Sequence, residues 1–194
     1  MSGVRTGTGV PGWTENVVAA LPGGTGVRVV AIEGRSGAGK STVAAHLREA
    51  LSARGEAVYV LTMEDLYAGW DGLAEGARLL RTRVLAPLAR GEEPVWHRWD
   101  WQHGRRSDEP SRLPDEVSLG GILVVEGTGS GASPALLDLL VWVHAPEPER
   151  IRRLDEREDA QLYIPHCAAW AAQEAHHLDR HRPQTHARVQ VDNT

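Results

Sequence analysis

Residues 27–41, VRVVAIEGRSGAGKS, decide the fold. Val27–Glu33 is a near-continuous apolar, β-branched run, the pattern of a strand covered on both faces. Gly34-Arg35-Ser36-Gly37-Ala38-Gly39-Lys40-Ser41 then fits G-x-x-x-x-G-K-[ST] at every fixed position. Over residues 40–53, apolar side chains recur at Val43, Ala44, Leu47, Ala50 and Leu51, a helical spacing. Strand, glycine turn and helix together make a phosphate cradle. Glycines let successive N–H groups face one anion, and the helix adds its positive N-terminal end. Gly34 to Ser41, with Thr42, are therefore the expected triphosphate-binding residues. Lys40 is placed to bridge the β- and γ-phosphates, and the Ser41 hydroxyl to ligate magnesium. The implied cofactors are ATP and Mg²⁺.

Outward from this motif, strands and helices alternate. Residues 57–62 (AVYVLT), 122–126 (ILVVE) and 139–144 (LLVWVH) read as strands, and 188–191 as a weak last one. Helical patterns cover 73–90, broken near Pro87, and 147–157 and 161–181. This alternation predicts a three-layer α/β/α domain with a five-stranded parallel sheet closed by right-handed crossovers. Residues 1–26 read as an N-terminal arm and a short helix: 1–12 as a frayed arm, and 13–21 as a helix capped by Thr14. Residues 27–194 read as a single domain. Within it, 91–118, rich in Trp, Arg and Pro, is an irregular insertion or hairpin.

The 194 residues are 41% hydrophobic and 24% charged, a globular composition. No run of apolar residues is long enough to span a bilayer, and MSGVRTGTGVPGW lacks the apolar core of a secretory signal. A net charge of −5 argues against nucleic-acid and anionic-lipid partners, so a cytoplasmic protein acting on a small molecule is expected. Cys167 has no second cysteine to pair with and reads as a small buried residue. Lys40 is the one lysine among 21 basic residues. An Asn-Lys-x-Asp base-reading motif of GTPases is thereby excluded. A short P-loop chain with a late arginine-rich helix points instead to a small-molecule kinase.

The chain resembles the uridine kinase-like family of P-loop nucleoside kinases. The resemblance covers residues 27–160 and implies a strand order of 2-3-1-4-5. Met63-Glu64-Asp65-Leu66-Tyr67 stands where the family has an acidic motif acting on the substrate hydroxyl, leaving the base as either Glu64 or Asp65. Gly121-Ile122-Leu123-Val124-Val125-Glu126-Gly127 matches a strand ending in Glu-Gly, which implies a magnesium role for Glu126 with Ser41. Residues 94–106, PVWHRWDWQHGRR, resemble the family's substrate-side insertion. They offer Trp99, Asp100, His103, Arg105 and Arg106, with Tyr67 and Trp70, as acceptor-binding residues. Arg150, Arg153 and Arg157 share a helix face and resemble the family's lid, residues 147–160, over the transferred phosphoryl group. Arg152 points elsewhere.

Blander readings stand beside these. The tryptophans can cover the sheet, and the arginine helix can be a surface element paired with Glu149, Glu156 and Glu158. The acceptor is expected to be a nucleoside such as uridine or cytidine. A sugar, vitamin precursor or antibiotic acceptor, or a non-catalytic ATP-binding module, remains open. His177 and His181 lie four apart with Glu174 one turn earlier, but no third metal ligand is evident.

Overall fold

The computed structural model describes residues 3–157 and 160–194. Its centre is a parallel sheet of six strands: β1 (Val4–Gly7), β2 (Arg28–Gly34), β3 (Val58–Thr62), β6 (Ile122–Glu126), β7 (Leu139–His144) and β8 (Val189–Asp192). They lie in the order β1-β8-β7-β2-β6-β3. The five anticipated strands keep the expected sequence of neighbours, with the P-loop strand β2 central. The count is corrected from five to six. Val4–Gly7, expected to be a frayed arm, pairs in parallel with Val189–Asp192 and becomes the edge strand of the sheet.

Alternation along the strands builds two cores. Val30, Ile32, Ile122 and Val124 face one layer with Val43, Leu47 and Leu51 of helix α2 (Lys40–Ser52) and Val17 of α1 (Trp13–Ala20). Val29, Leu123 and Val125 face the other, with Leu73, Leu80 and Val84 from residues 73–85. Every residue of β6 is buried, which is why Ile122–Val125 reads as an unbroken apolar run.

Helix α1 is present, but its N-cap is Gly12 in the left-handed region, not Thr14. The Thr14 hydroxyl donates to Glu15 Oε2 instead. The pattern at 73–90 becomes α3 (Leu73–Leu79), a π-helical stretch (Leu80–Leu85) and α4 (Ala86–Ala89). Pro87 therefore does not end the helical run. The wider π turn precedes the residue that cannot donate an N–H.

Within 91–118, β4 (Trp96–Asp100) and β5 (Arg105–Ser111) form an antiparallel hairpin anchored by the buried Trp96. The short α5 (Asp115–Ser118) follows. The last third holds α6 (Glu147–Asp155), α7 (Ala160–Tyr163), α8 (Cys167–His181) and α9 (Pro183–His186). Cys167, expected to be buried, is exposed at the start of α8. Among the described residues, no helix is long and apolar enough to cross a membrane.

Candidate active site

Strand register assembles the site. Ile32 of β2 and Thr62 of β3 both lie level with Glu126 of β6. The P-loop after β2, the acidic turn after β3 and the carboxylate ending β6 thus meet at the carboxyl edge of the sheet, where the connections diverge to opposite sides of β2. A cleft of about 660 Å³ opens there.

Its floor is the P-loop. Ser36, Gly37, Gly39, Lys40, Ser41 and Thr42 line it, whereas Gly34, Arg35 and Ala38 do not. Gly37 and Gly39 have φ of 77° and 88°, and a Cβ on either would collide with the Arg150 carbonyl or the Asn193 amide. Only glycine fits both. Lys40 opens α2 and donates to the Arg35 carbonyl at 3.0 Å, folded back across the loop. Ser41 Oγ donates to Glu126 Oε2 at 3.2 Å. A hydroxyl and a carboxylate converging at a helix N-terminus form an oxygen donor set that suits Mg²⁺, and the glycine cradle suits a polyphosphate.

Of the two candidate bases, Glu64 lines the cleft and Asp65 does not. Asp65 instead pairs with Arg98 Nε at 3.3 Å. Burial raises its carboxyl above the usual range, although Arg98 opposes this. Glu64 follows Thr62, whose hydroxyl accepts its N–H, and its carboxylate lies 3.9 Å from Arg157 Nη2.

The three arginines of the expected lid separate. Arg153 and Arg157 line the cleft. Arg150 is buried and donates to the Ser36 carbonyl at 3.0 Å, so it braces the P-loop from behind and does not face the cleft. Arg153 also donates to Glu149 and to the carbonyl of Asn193. Arg152 is exposed between Glu149 and Glu156, as the surface reading expected, and Glu149 is held down to about 2, mainly by Arg152. Glu158 lies outside the described residues.

The acceptor side departs furthest from expectation. Tyr67 and Trp70 line the cleft, but Trp99, Asp100, His103, Arg105 and Arg106 do not. Asp100 caps its own hairpin turn, accepting from the Gln102 and His103 backbones and pairing with His103 Nδ1 at 2.7 Å. Those bonds, His103's side chain first, lower its carboxyl. Arg105 pairs with Asp108. Arg106 covers the Trp99 ring at 5.2 Å and donates to the Leu66 carbonyl, holding the acidic turn from outside.

Beside Tyr67 and Trp70, the wall is built from residues outside the expected acceptor set: Trp101, Leu162, Tyr163 and Trp170. Trp70 stacks on His166 at 4.8 Å and meets Trp101 edge-on at 5.1 Å. Trp101 lies in the aromatic-rich insertion, so an aromatic signal was there; Tyr163 and Trp170 lie in a segment with no motif. Tyr67 is buried, and its hydroxyl donates to the Thr128 carbonyl at 2.6 Å.

His177 and Glu174, one turn apart on α8, turn to different partners. His177 Nε2 meets Glu33 Oε2 at 3.2 Å, and Glu174 turns to the P-loop. Burial first, then His177, lowers the His181 pKa. Among the described residues, no group of three His, Cys, Asp or Glu side chains is placed to hold a metal ion.

Comparison with known proteins agrees with this architecture. No match was found among curated protein sequences. A possible uridine kinase from Bacillus stearothermophilus superposes with a TM-score of 0.64 at 19% identity, over 92% of this chain and 95% of the other. A proposed fructose transport system kinase from Silicibacter sp. TM1040 gives 0.61 at 21% identity, over 92% and 96%. At these identities the likeness is one of fold. The AAA domain family matches residues 30–164, from the P-loop strand through the arginine helix. The chain belongs to that AAA domain family and has the fold of P-loop kinases similar to the uridine kinase-like group.

Proposed function

We propose that this protein is a kinase that transfers the terminal phosphoryl group of Mg-ATP to a hydroxyl of a small acceptor bound against the Trp70–Trp101–Tyr163 wall. One observation carries the reading: Glu64 lies in the same cleft as Lys40, Ser41, Glu126 and Arg157. A carboxylate able to take the acceptor's proton, in one cleft with cations able to meet the phosphoryl charge, supports the reading.

The P-loop backbone and Lys40 hold the polyphosphate. Ser41 and Glu126 would hold Mg²⁺, which when bound would supply charge neutralisation to the polyphosphate. Glu64 accepts the hydroxyl proton as the acceptor oxygen bonds to the γ-phosphorus and the bond to the β-phosphate oxygen breaks, releasing ADP. Arg153 and Arg157 stabilise the charge in flight.

The acceptor is a compound with a planar or apolar ring, and a nucleoside fits this wall. A non-nucleoside ring acceptor is favoured by a separate observation: Asp100, the expected ligand of sugar hydroxyls, is engaged in capping its own turn. ADP release with Mg-ATP over a panel of nucleosides, sugars and vitamin precursors tests both, with Lys40→Ala as the blank. Acceptor-dependent turnover absent from the blank supports the kinase. Nucleotide binding with no such turnover from any acceptor supports a regulatory module.

A further inference from the structure

Helix α8 lies beyond the stretch carrying the family motifs, yet one of its faces reaches into the site. Trp170, Gln173, Glu174 and His177 fall at i, i+3, i+4 and i+7 and therefore share a side. Glu174 is 2% exposed and is spent on the P-loop. Its Oε1 accepts from the Ser36 N–H at 2.7 Å, the Ser36 hydroxyl at 3.0 Å and the Thr128 hydroxyl at 3.5 Å. Its Oε2 accepts from Arg35 Nε at 2.9 Å. Trp170 Nε1 donates to the same Ser36 hydroxyl, while Gln173 holds the Trp70 carbonyl.

A carboxylate this buried would be costly without such partners. Apart from the Thr128 hydroxyl, which lies in the loop after β6, its donors sit on the limb of the loop that leads into the phosphate cradle. From behind, Arg150 holds that limb by the Ser36 carbonyl. Ser36 is thus gripped at its N–H, its carbonyl and its side chain, immediately before Gly37 turns into the left-handed region.

We infer that Glu174 is a positioning residue for nucleotide binding: it fixes the Arg35–Ser36 limb so that the N–H groups after Gly37 stay aimed at the phosphates. It touches no phosphate itself. The inference rests on the P-loop's being a nucleotide site, but not on the identity of the acceptor or on turnover. Loss of Glu174 leaves the Ser36 N–H and Arg35 without their buried acceptor and lets the limb relax.

Calorimetric titration of the full chain with Mg-ADP tests this. Glu174→Ala is expected to weaken binding by about 10- to 100-fold, the loss for hydrogen bonds to a charged group. Glu174→Gln keeps the shape and serves if the alanine variant does not fold. It is expected to fall between the two, because it loses the charge facing Arg35. Leu113→Ala, which removes a side chain from the core beneath the hairpin, controls for general destabilisation and is expected to leave affinity unchanged. Because Glu174 acts partly through Arg35, adding Arg35→Ala to Glu174→Ala is expected to cost less than the sum of the single effects.

Unchanged affinity in both Glu174 variants, strict additivity with Arg35→Ala, or an equal loss in Leu113→Ala would each overturn the inference. Mg-ADP binding without acceptor turnover in the wild type would count against the kinase alone. Absence of Mg-ADP binding in the wild type would overturn the nucleotide site and this inference together.

Discussion

Ser41 Oγ and Glu126 Oε2 lie 3.2 Å apart, joining the first turn of α2 to the end of β6 across the central sheet. The contact exists because β2 and β6 are paired in parallel with Ile32 level with Glu126. An oxygen pair beside the phosphate cradle is what a hard divalent cation needs. Glu126→Gln or Ser41→Ala is expected to raise the Mg²⁺ concentration for half-maximal turnover by about 10-fold or more, with excess EDTA abolishing turnover in the wild type. A magnesium titration of ADP release measures this, and an unshifted curve in both variants would remove the pair from metal binding.

Among the described residues, the hydrogen bond of the Lys40 ammonium goes to the Arg35 carbonyl. Lys40→Ala should therefore keep its circular dichroism and unfold within a few degrees of the wild type. Its turnover should drop by about a hundredfold to a thousandfold, the scale seen on removing one donor to developing charge. A variant that unfolds early would show instead that the lysine is structural.

The acidic turn offers a direct contrast. Glu64→Gln is expected to lower kcat by about 10²–10⁴-fold, as for loss of a general base. Asp65→Asn breaks only a half-exposed pair with Arg98 and should cost about 1 kcal/mol or less of stability with little change in kcat. Rate measurements at saturating acceptor decide between them, and the reverse ranking would reassign the base.

For the acceptor wall, Trp70→Ala should raise the acceptor KM by about 10-fold, from lost ring burial and aromatic contact. Trp99→Ala should have a smaller effect, since Trp99 lies outside the cleft beneath Arg106. Steady-state KM values for the two variants, taken with whichever acceptor the panel identifies, provide the comparison. A larger effect at Trp99 would restore the hairpin to the substrate side.

Alkaline stability should depend on Tyr67. Burial, then the charges of Glu33, Glu126, Glu64 and Glu174, push its phenol well above the ordinary value. The folded state thus keeps a proton that the unfolded chain gives up near pH ~10. Stability linked to this group is complete below that pH and is lost as pH rises above it. Tyr163, also raised mainly by burial, acts in the same direction. Thermal unfolding midpoints should fall above about pH 10, and Tyr67→Phe should fall less steeply. Parallel slopes would show that the phenol is not the cause.

Much of this was legible in residues 27–41 and in the apolar runs, because each signal is local. A G-x-x-x-x-G-K-S stretch between a buried strand and a helix is itself the cradle, and β2, β6 and β7 are apolar because both faces are covered. Strand identity and the central place of β2 followed from these patterns and the family resemblance together. The sixth strand was not legible: Val-Arg-Thr-Gly has no strand pattern, and pairing with β8 alone makes it one.

The sequence by itself determined the phosphate-binding motif, the alternation of strands and helices, and the kinds of residue available for catalysis. Which of them face one another was decided only by tertiary structure. Adjacent Glu64 and Asp65 point to different partners, and Arg150 and Arg153 diverge to the back and the mouth of the P-loop. Asp100 turns to its own hairpin, while Trp170 and Glu174 arrive from a helix more than a hundred residues downstream of the loop they hold. The reason is physical: spacing along the chain sets which face of an element a side chain occupies, but only the packing of one element on another sets what that face meets.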